Sequence, residues 1–366
     1  MNSENKNVII AGGGSGGHIF PALSIADALV KSGIDIDRIS FFGSKYTLEK
    51  TIVPKSGYKI FLFPGRGVNK IKSVKNLFKN IINTIGLVVA IFKSLFLMIK
   101  IKPVVVIGVG GFASFPAIIS ATILRKKIVI HEQNSVLGRI NTIAQKLGAT
   151  VITTFKNTEG INQNAINLGL PLRSEVIEKI NNKNIEKDNS TNSSDILIFG
   201  GSLGARCINT AVIEMLQNHK IPKDWKITLF TGETNFENVY KAIGGKELDI
   251  SISAFTNKLF ELMLKSDVIV SRAGAGTCVE IEISNAQCIL IPLQIAPGDH
   301  QSKNANSLIL SGKGLILKES ALNGETLFKA IEERITNNRD RGEINTNSIH
   351  LSANLNIAKY LINNYL

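Results

Sequence analysis

A chain of 366 residues is long for a single hydrophobic core, and its 44% hydrophobic content is ample for two. The three cysteines, Cys207, Cys278 and Cys288, have neither paired nor metal-like spacing, which argues against a disulfide framework or a cysteine metal site and for a reducing, cytosolic setting. The short polar N-terminus runs straight into a strand-like stretch without the features of a secretory signal, so secretion is not expected.

The net charge of +13 is unevenly placed: residues 1–173 carry 22 Lys and Arg against 7 Asp and Glu, whereas residues 174–366 carry 20 against 22. No acidic residue occurs between Glu49 and Glu132. The first half is therefore expected to face something anionic. Nucleic acid fits poorly, because the basic residues are not interleaved with an aromatic platform or arranged as a recognition helix. The same stretch is strongly apolar, which points instead to the anionic inner leaflet of a membrane.

In chain order, strand-like runs at Val8 to Ala11, Ile39 to Phe42, Val104 to Ile107, Ile128 to His131 and Val151 to Thr153 alternate with longer periodic runs. The pattern resumes at Ile196 to Phe199, Lys226 to Phe230, Val268 to Ser271 and Gln287 to Ile291. Such alternation predicts α/β architecture with parallel sheets and crossover helices. The Asn- and Ser-rich stretch from Lys179 to Asp195 reads as a loop or linker. Two doubly wound Rossmann-like domains follow, residues 1–174 and 175–350, with 351–366 as a helix returning to the first and the ligand expected in an interdomain cleft.

The run Val74 to Lys102 resembles a membrane span, but its longest uncharged stretch, Asn80 to Phe92, holds 13 residues. That is short of the roughly 20 that cross a bilayer. On a helical wheel Val74, Leu77, Phe78, Ile81, Ile85, Val88, Phe92, Phe96 and Ile99 share a face, with Lys75, Lys79, Lys93 and Lys100 away from it and Arg66, Lys70 and Lys72 upstream. The expectation is a surface that dips into one leaflet, with Lys72, Lys75, Lys79, Leu77, Phe78, Ile81 and Ile85 at its centre. The alternative is an ordinary helix packed on the sheet.

Four apolar runs feed glycine-rich turns: Gly12 to His18, Gly108 to Ser114, Gly200 to Ala205 and Arg272 to Thr277. Such turns let backbone N–H groups approach an anion, and the helix that follows favours negative charge. Gly12, Gly14 and Gly17 satisfy the dinucleotide fingerprint, but after the second strand the chain offers Gly43-Ser44-Lys45 where a ribose-binding acid is required, so hydride transfer is disfavoured. His18 closes the first turn, where a neutral imidazole can take a proton from a hydroxyl. A packing role is its alternative. His131-Glu132-Gln133-Asn134 follows a strand, and the choice for His131 and Glu132 lies between ligand contact and a self-satisfied turn network. Asn134 is read as a ligand contact.

In the second half, Ser202 can donate to a phosphate beside backbone N–H groups. Glu280, placed on the first turn of the helix after Arg272 to Thr277, suits the two hydroxyls of a ribose. Asp299-His300-Gln301 suits the hydroxyls of a sugar. Asp35-Ile36-Asp37 spells a metal-binding acid pair, yet stands far in sequence from any glycine turn and is read as solvated charge. No bound metal and no cofactor are expected.

Together GGGSGGHIFPAL (Gly12 to Leu23), GVGGFAS (Gly108 to Ser114), HEQN (His131 to Asn134), GLPLR (Gly169 to Arg173), GGSLGA (Gly200 to Ala205), RAGAGTCVE (Arg272 to Glu280) and DHQSKNA (Asp299 to Ala305) resemble a family. It is that of the bacterial N-acetylglucosaminyltransferases of GT-B fold that convert lipid I to lipid II in peptidoglycan synthesis. The resemblance implies inverting transfer from UDP-N-acetylglucosamine to the 4-hydroxyl of undecaprenyl-diphosphate-N-acetylmuramyl-pentapeptide, on the cytoplasmic side of the cell membrane. By the same resemblance the UDP-sugar contacts are Ser15, Gly16, Gly17, Asn134, Arg173, Ser202, Thr256, Ala275, Gly276, Thr277, Cys278, Val279, Glu280, His300 and Gln301. The acceptor diphosphate falls to Gly14, Gly110, Gly111 and Ser114, and His18 is the implied base. Phe112 departs from the tyrosine common in the family, Ser15 from its threonine, and His300 from a glutamine. Another GT-B enzyme that glycosylates a membrane lipid such as diacylglycerol, and a nucleotide-sugar-binding scaffold without catalysis, are the competing expectations.

Overall fold

The computed structural model describes residues 6–64, 74–181, 193–201, 204–243, 249–294, 297–309, 312–337 and 343–366. The chain separates into two compact units, residues 1–174 with 349–366 and residues 175–348.

The first unit is built on an all-parallel sheet of β1 (Val8–Ala11), β2 (Ile39–Ser44), β3 (Lys59–Phe63), β4 (Val105–Gly108), β5 (Lys127–Glu132), β6 (Thr150–Thr153) and β7 (Ile166–Asn167), in the order β3-β2-β1-β4-β5-β6-β7. Its helices are α1 (Gly16–Lys31), α2 (Glu49–Lys55), α3 (Val74–Ile101), α4 (Ser114–Ile123) and α5 (Arg139–Lys146). A sixth, α6 (Ser174–Asn181), leads into the second unit.

The second unit repeats the plan with β8 (Ser194–Phe199), β9 (Trp225–Phe230), β10 (Ile250–Ser253), β11 (Val268–Ser271), β12 (Gln287–Leu290) and β13 (Gly314–Ile316), ordered β10-β9-β8-β11-β12-β13. It carries α7 (Arg206–Asn218), α8 (Phe236–Ile243), α9 (Leu259–Lys265), α10 (Ala275–Ser284), α11 (His300–Ile309) and α12 (Gly324–Asn337). The last helix, α13 (Ile349–Tyr365), belongs to the first unit. There Ile357 and Leu361 join the core cluster of Ile19, Ile25 and Leu29. Burying each of those two side chains contributes about 1.5–3 kcal/mol.

The central strands β1, β4, β11 and β12 are buried along their length, and β8 from Ile196 onward, as strands covered by helices on both faces require. In both sheets the strand order reverses direction between the first and fourth strands, which is the switch point where parallel sheets bind ligands. In register, Ala11 pairs with Gly108 and Phe199 with Ser271, so two glycine-rich turns leave each switch point side by side.

Three sequence expectations shift. The polar stretch from Lys179 to Asp195 begins inside α6 and ends inside β8, with residues 182–192 outside the described residues. Strands β3, β7, β10 and β13, absent from the sequence expectation, complete the sheets. Finally, α3 runs unbroken across its charged positions, and Ile82–Ile101 is long and apolar enough to cross a membrane. Its packing is nevertheless that of a crossover helix. Ala90, Ser94 and Met98 are buried, and the Ser120 hydroxyl of α4 donates to the Ile91 carbonyl. The opposite face presents Ile82, Ile85, Val88, Phe92, Phe96 and Ile99 outward, the two phenylalanines 68% and 69% exposed. Lys72 and the side chains of Lys75, Leu77, Phe78, Lys79 and Ile81 lie outside the described residues.

Candidate active site

At the first switch point, α1 opens at Gly16 with Ser15 as its N-cap, and the Ser15 carbonyl accepts from the N–H groups of His18 and Ile19. The Gly16 and Gly17 N–H groups are thereby the first orphan donors of the helix, and Ser15 and Gly17 are exposed. The neighbouring turn fits around the His18 ring. A Cβ at Gly110 would come within 3.0 Å of His18 Cε1, and one at Gly111 would overlap the Gly13 carbonyl. Both glycines also hold positive φ, 86° and 76°, so side chains are excluded twice over.

Two residues assigned to an acceptor diphosphate have other work. The Gly14 N–H donates to Glu49 Oε2 at 3.1 Å, while Glu49 Oε1 accepts from Ser44 N–H at 2.9 Å and from the Thr47 hydroxyl at 2.5 Å. Glu49 is only 1% exposed, so this carboxylate braces the turn from beneath and takes the donor expected for an anion. The Ser114 hydroxyl, fully buried, bonds the carbonyls of Ala11 and Gly110 at 2.7 Å each and ties the two turns together. Gly14 and Ser114 therefore shape the turns and do not present these groups to a ligand. Among the described residues the Gly110 and Gly111 N–H groups have no protein acceptor.

The HEQN segment at the end of β5 resolves toward the local network. Glu132 accepts from Asn134 N and Nδ2, Gly138 N and Asn141 Nδ2, at 2.8–3.1 Å. His131 is buried, its Nε2 2.9 Å from the Gly169 carbonyl and its Nδ1 3.1 Å from Gln133 Nε2. Burial pushes its pKa down to about 4, against the opposing effect of the Gly169 bond, so the ring is neutral. Gln133 Oε1 lies 2.9 Å from His18 Nδ1. Asn134 is half-buried with its amide nitrogen held by Glu132. Arg173 sits in the first unit, its guanidinium 5.5 Å from the centre of the Phe20 ring at the start of α1.

At the second switch point α10 opens at Ala275 behind the N-cap Gly274, which aims the Ala275, Gly276 and Thr277 N–H groups out of the helix. The Cys278 N–H already bonds the Gly274 carbonyl. Cys278 and Val279 have side chains 1% and 0% exposed, and burial pushes the Cys278 thiol far up. The side chains of these two residues belong to the core. Glu280 is the sixth residue of α10 and so stands on its second turn, but it follows Gly276 by four residues and Thr277 by three and shares their face.

Arg272, just before this turn, bonds the Ile291 and Pro292 carbonyls, Glu319 at 2.9 Å and the Cys207 sulfur, clamping the ends of β11 and β12. Asn304, fully buried on α11, donates to the Ala273 carbonyl. His300 and Gln301 open α11 and are half-buried. Gln301 Oε1 accepts from Leu293 N–H, and its Nε2 has no partner among the described residues. The Thr256 hydroxyl accepts from Lys258 N–H in the loop after β10. Ser202 lies outside the described residues. Asp35 accepts from Asp37 N–H as the cap of a short turn and is exposed.

The glycosyltransferase family 28 N-terminal domain matches residues 8–153, and the corresponding C-terminal domain matches residues 195–361. The chain belongs to glycosyltransferase family 28. It is a glycosyltransferase with two Rossmann-like domains of the GT-B type.

Within the family it is similar to two proteins named UDP-N-acetylglucosamine–N-acetylmuramyl-(pentapeptide) pyrophosphoryl-undecaprenol N-acetylglucosamine transferase. That of Flavobacterium psychrophilum is 33% identical, covering 98% of this chain and 96% of the relative. That of Thermodesulfovibrio yellowstonii is 34% identical, covering 89% of each. The solved structure of Acinetobacter baumannii MurG matches with a TM-score of 0.74 at 24% identity, over 98% of this chain and 99% of the other. The sequence had not singled out Glu49 or Gln133 as site residues. Glu49 carried no motif, and the role of Gln133 depends on its meeting with His18, 115 residues away.

Proposed function

We propose that this enzyme transfers N-acetylglucosamine from UDP-N-acetylglucosamine to lipid I, undecaprenyl-diphosphate-N-acetylmuramyl-pentapeptide, giving lipid II for peptidoglycan synthesis. The observation that carries this reading is the pair of glycine-turn switch points, one holding His18 and the other the open N-terminus of α10, in a chain with full-length relatives of that name.

In this reading the second unit holds the donor. The Ala275, Gly276 and Thr277 N–H groups meet the diphosphate, Glu280 meets the ribose, and His300, Gln301, Thr256 and Ser202 meet the remainder of the UDP-sugar. From the first unit Ser15, Gly16, Gly17, Asn134 and Arg173 add contacts. The Gly110 and Gly111 N–H groups take the acceptor diphosphate.

The acceptor's 4-hydroxyl oxygen attacks the anomeric carbon as its bond to UDP breaks, so the bonding pair leaves on the UDP oxygen and the configuration inverts. His18 takes the hydroxyl proton. Charge developing on the leaving diphosphate is stabilised by dipoles already oriented at the start of α10. The outward apolar face of α3, with the basic residues of the first half, docks on the cytoplasmic leaflet as a peripheral contact.

Radiolabelled transfer to a short-chain lipid I analogue, with diacylglycerol alongside, tests the reaction: label in lipid I alone is expected, and label only in diacylglycerol would overturn the acceptor. For the docking face, the double substitution Phe92→Asp and Phe96→Asp should abolish binding to anionic vesicles while changing stability by less than about 0.5 kcal/mol. Retained vesicle binding by the folded variant would remove α3 from the contact.

A further inference from the structure

We propose that Gln133, held by His131, is the positioning residue that sets the tautomer of His18, keeping the proton on Nδ1 and leaving the Nε2 lone pair for the acceptor hydroxyl. This rests on the reading of His18 as the base and deepens it.

The Gly169 carbonyl only accepts, so the His131 nitrogen 2.9 Å away, Nε2, carries a proton. His131 is 1% exposed and neutral, so its other nitrogen, Nδ1, is an unprotonated acceptor. That acceptor lies 3.1 Å from Gln133 Nε2, and the same amide nitrogen lies 3.0 Å from the His131 carbonyl oxygen. Both protons of the Gln133 amide are thus directed at acceptors. Turning the amide over would set its oxygen against two other acceptors inside a buried site, losing two hydrogen bonds and adding two repulsions. Gln133 is 3% exposed, so water does not offer an easy substitute.

With the amide fixed, its oxygen points at His18 Nδ1 from 2.9 Å and can only accept. A neutral His18 then holds its single proton at Nδ1. Its Nε2 has no protein partner among the described residues. The ring is also held in place laterally, because the turn at Gly110 and Gly111 closes on its edge and leaves no room for a Cβ. The chain Gly169 carbonyl, His131, Gln133, His18 therefore does what a carboxylate does in a catalytic triad as regards tautomer and orientation, but without a negative charge beside the imidazole. A neutral orienter does not hold a proton on the ring as a carboxylate would, which suits a base that must start each cycle unprotonated.

The experiment uses the full chain with 15N-labelled histidine and reads the ring nitrogens of His18 by long-range proton–nitrogen correlation, at a pH where the ring is neutral. A His18→Ala spectrum assigns the signals. Wild type is expected to show Nδ1 protonated and Nε2 bare. Gln133→Leu should move His18 toward the Nε2-protonated form and lower kcat by at least about tenfold with KM for UDP-N-acetylglucosamine within about twofold. An Nε2-protonated His18 in wild type, or the same tautomer in wild type and Gln133→Leu, overturns the proposal. Should Gln133→Leu not fold by circular dichroism, Gln133→Met, which also removes the acceptor, is read in its place, and an Nε2-protonated His18 in wild type overturns the proposal in either case. Undiminished turnover in His18→Ala would instead remove the base assignment and leave the tautomer result standing, so the two failures are distinct.

Discussion

The two switch points of this molecule occupy the same place in the same strand order, yet they are braced by opposite chemistry. In the first unit the glycine turns rest on a buried carboxylate, Glu49, on the Ser114 hydroxyl, and on the amide and imidazoles around His18. In the second unit a cation performs the bracing, with Arg272 gathering two carbonyls, a carboxylate and a sulfur, and the Asn304 amide holding the turn from α11. One topology therefore builds a turn that presents an imidazole ring and another that presents helix N–H groups with the Glu280 carboxylate one turn further along. The parallel sheet supplies the place; the side chains beneath the turns decide what is offered there.

That contrast can be broken at its sharpest point by His18→Ala. Turnover should fall by about 100-fold or more while affinity for UDP-N-acetylglucosamine, measured by calorimetry, stays within about twofold. An equal loss of both would place His18 in donor binding and erase the division of labour between the units.

The first unit should also be the acid-sensitive one. His131 titrates at about 4 when folded against 6.5 for the free side chain, so the unfolded chain binds a proton before the folded one does. Its contribution is complete above 6.5 and is lost as pH falls toward about 4, amounting to about 3 kcal/mol over that window. Urea unfolding of wild type and His131→Asn above and below the window checks this. Equal pH dependence in the two would show that His131 is not the group responsible.

Of comparable size, Glu49→Ala should cost about 2–3 kcal/mol, read as a lowered Tm, because three donors lose a buried charged acceptor. Turnover should fall more than donor affinity does, since the slackened turn lies beside His18. A smaller effect is expected on the other side: Glu280→Ala should raise KM for the UDP-sugar about tenfold with kcat little changed, the signature of lost ground-state binding. Unaltered KM would remove its ribose role and leave the second switch point a backbone-only site.

How far the sequence carried is visible in the strands. The strands at the centre of each sheet, β1, β4, β8 and β11, were legible as near-continuous apolar runs, because a strand buried on both faces has little choice of residue. The strands it missed, β3, β7, β10 and β13, are the four sheet edges. In β3 only Phe63, the last residue of KIFLF, is buried, β7 has two residues and β13 has three, so none of these presents a long run buried on both faces. The glycine turns were legible for the opposite reason. Their positions at Gly110 and Gly111 admit no side chain, so the requirement is written in the residue itself.

Side-chain roles at the site divide along a similar line. From residue types and order alone came the two α/β units, the glycine turns, His18 at the head of α1, the apolar and basic character of the first half, and the family resemblance with its reaction. These follow from local rules, since periodicity, turn chemistry and helix starts depend on near neighbours in the chain. Only the folded chain could decide that Gly14 gives its N–H to Glu49, that Ser114 faces inward, that Cys278 and Val279 are core, and that Gln133 reaches His18. Those outcomes are settled by which donor meets which acceptor, and which side chain is covered, in a buried space whose parts are brought together from distant stretches of the sequence by the parallel crossovers.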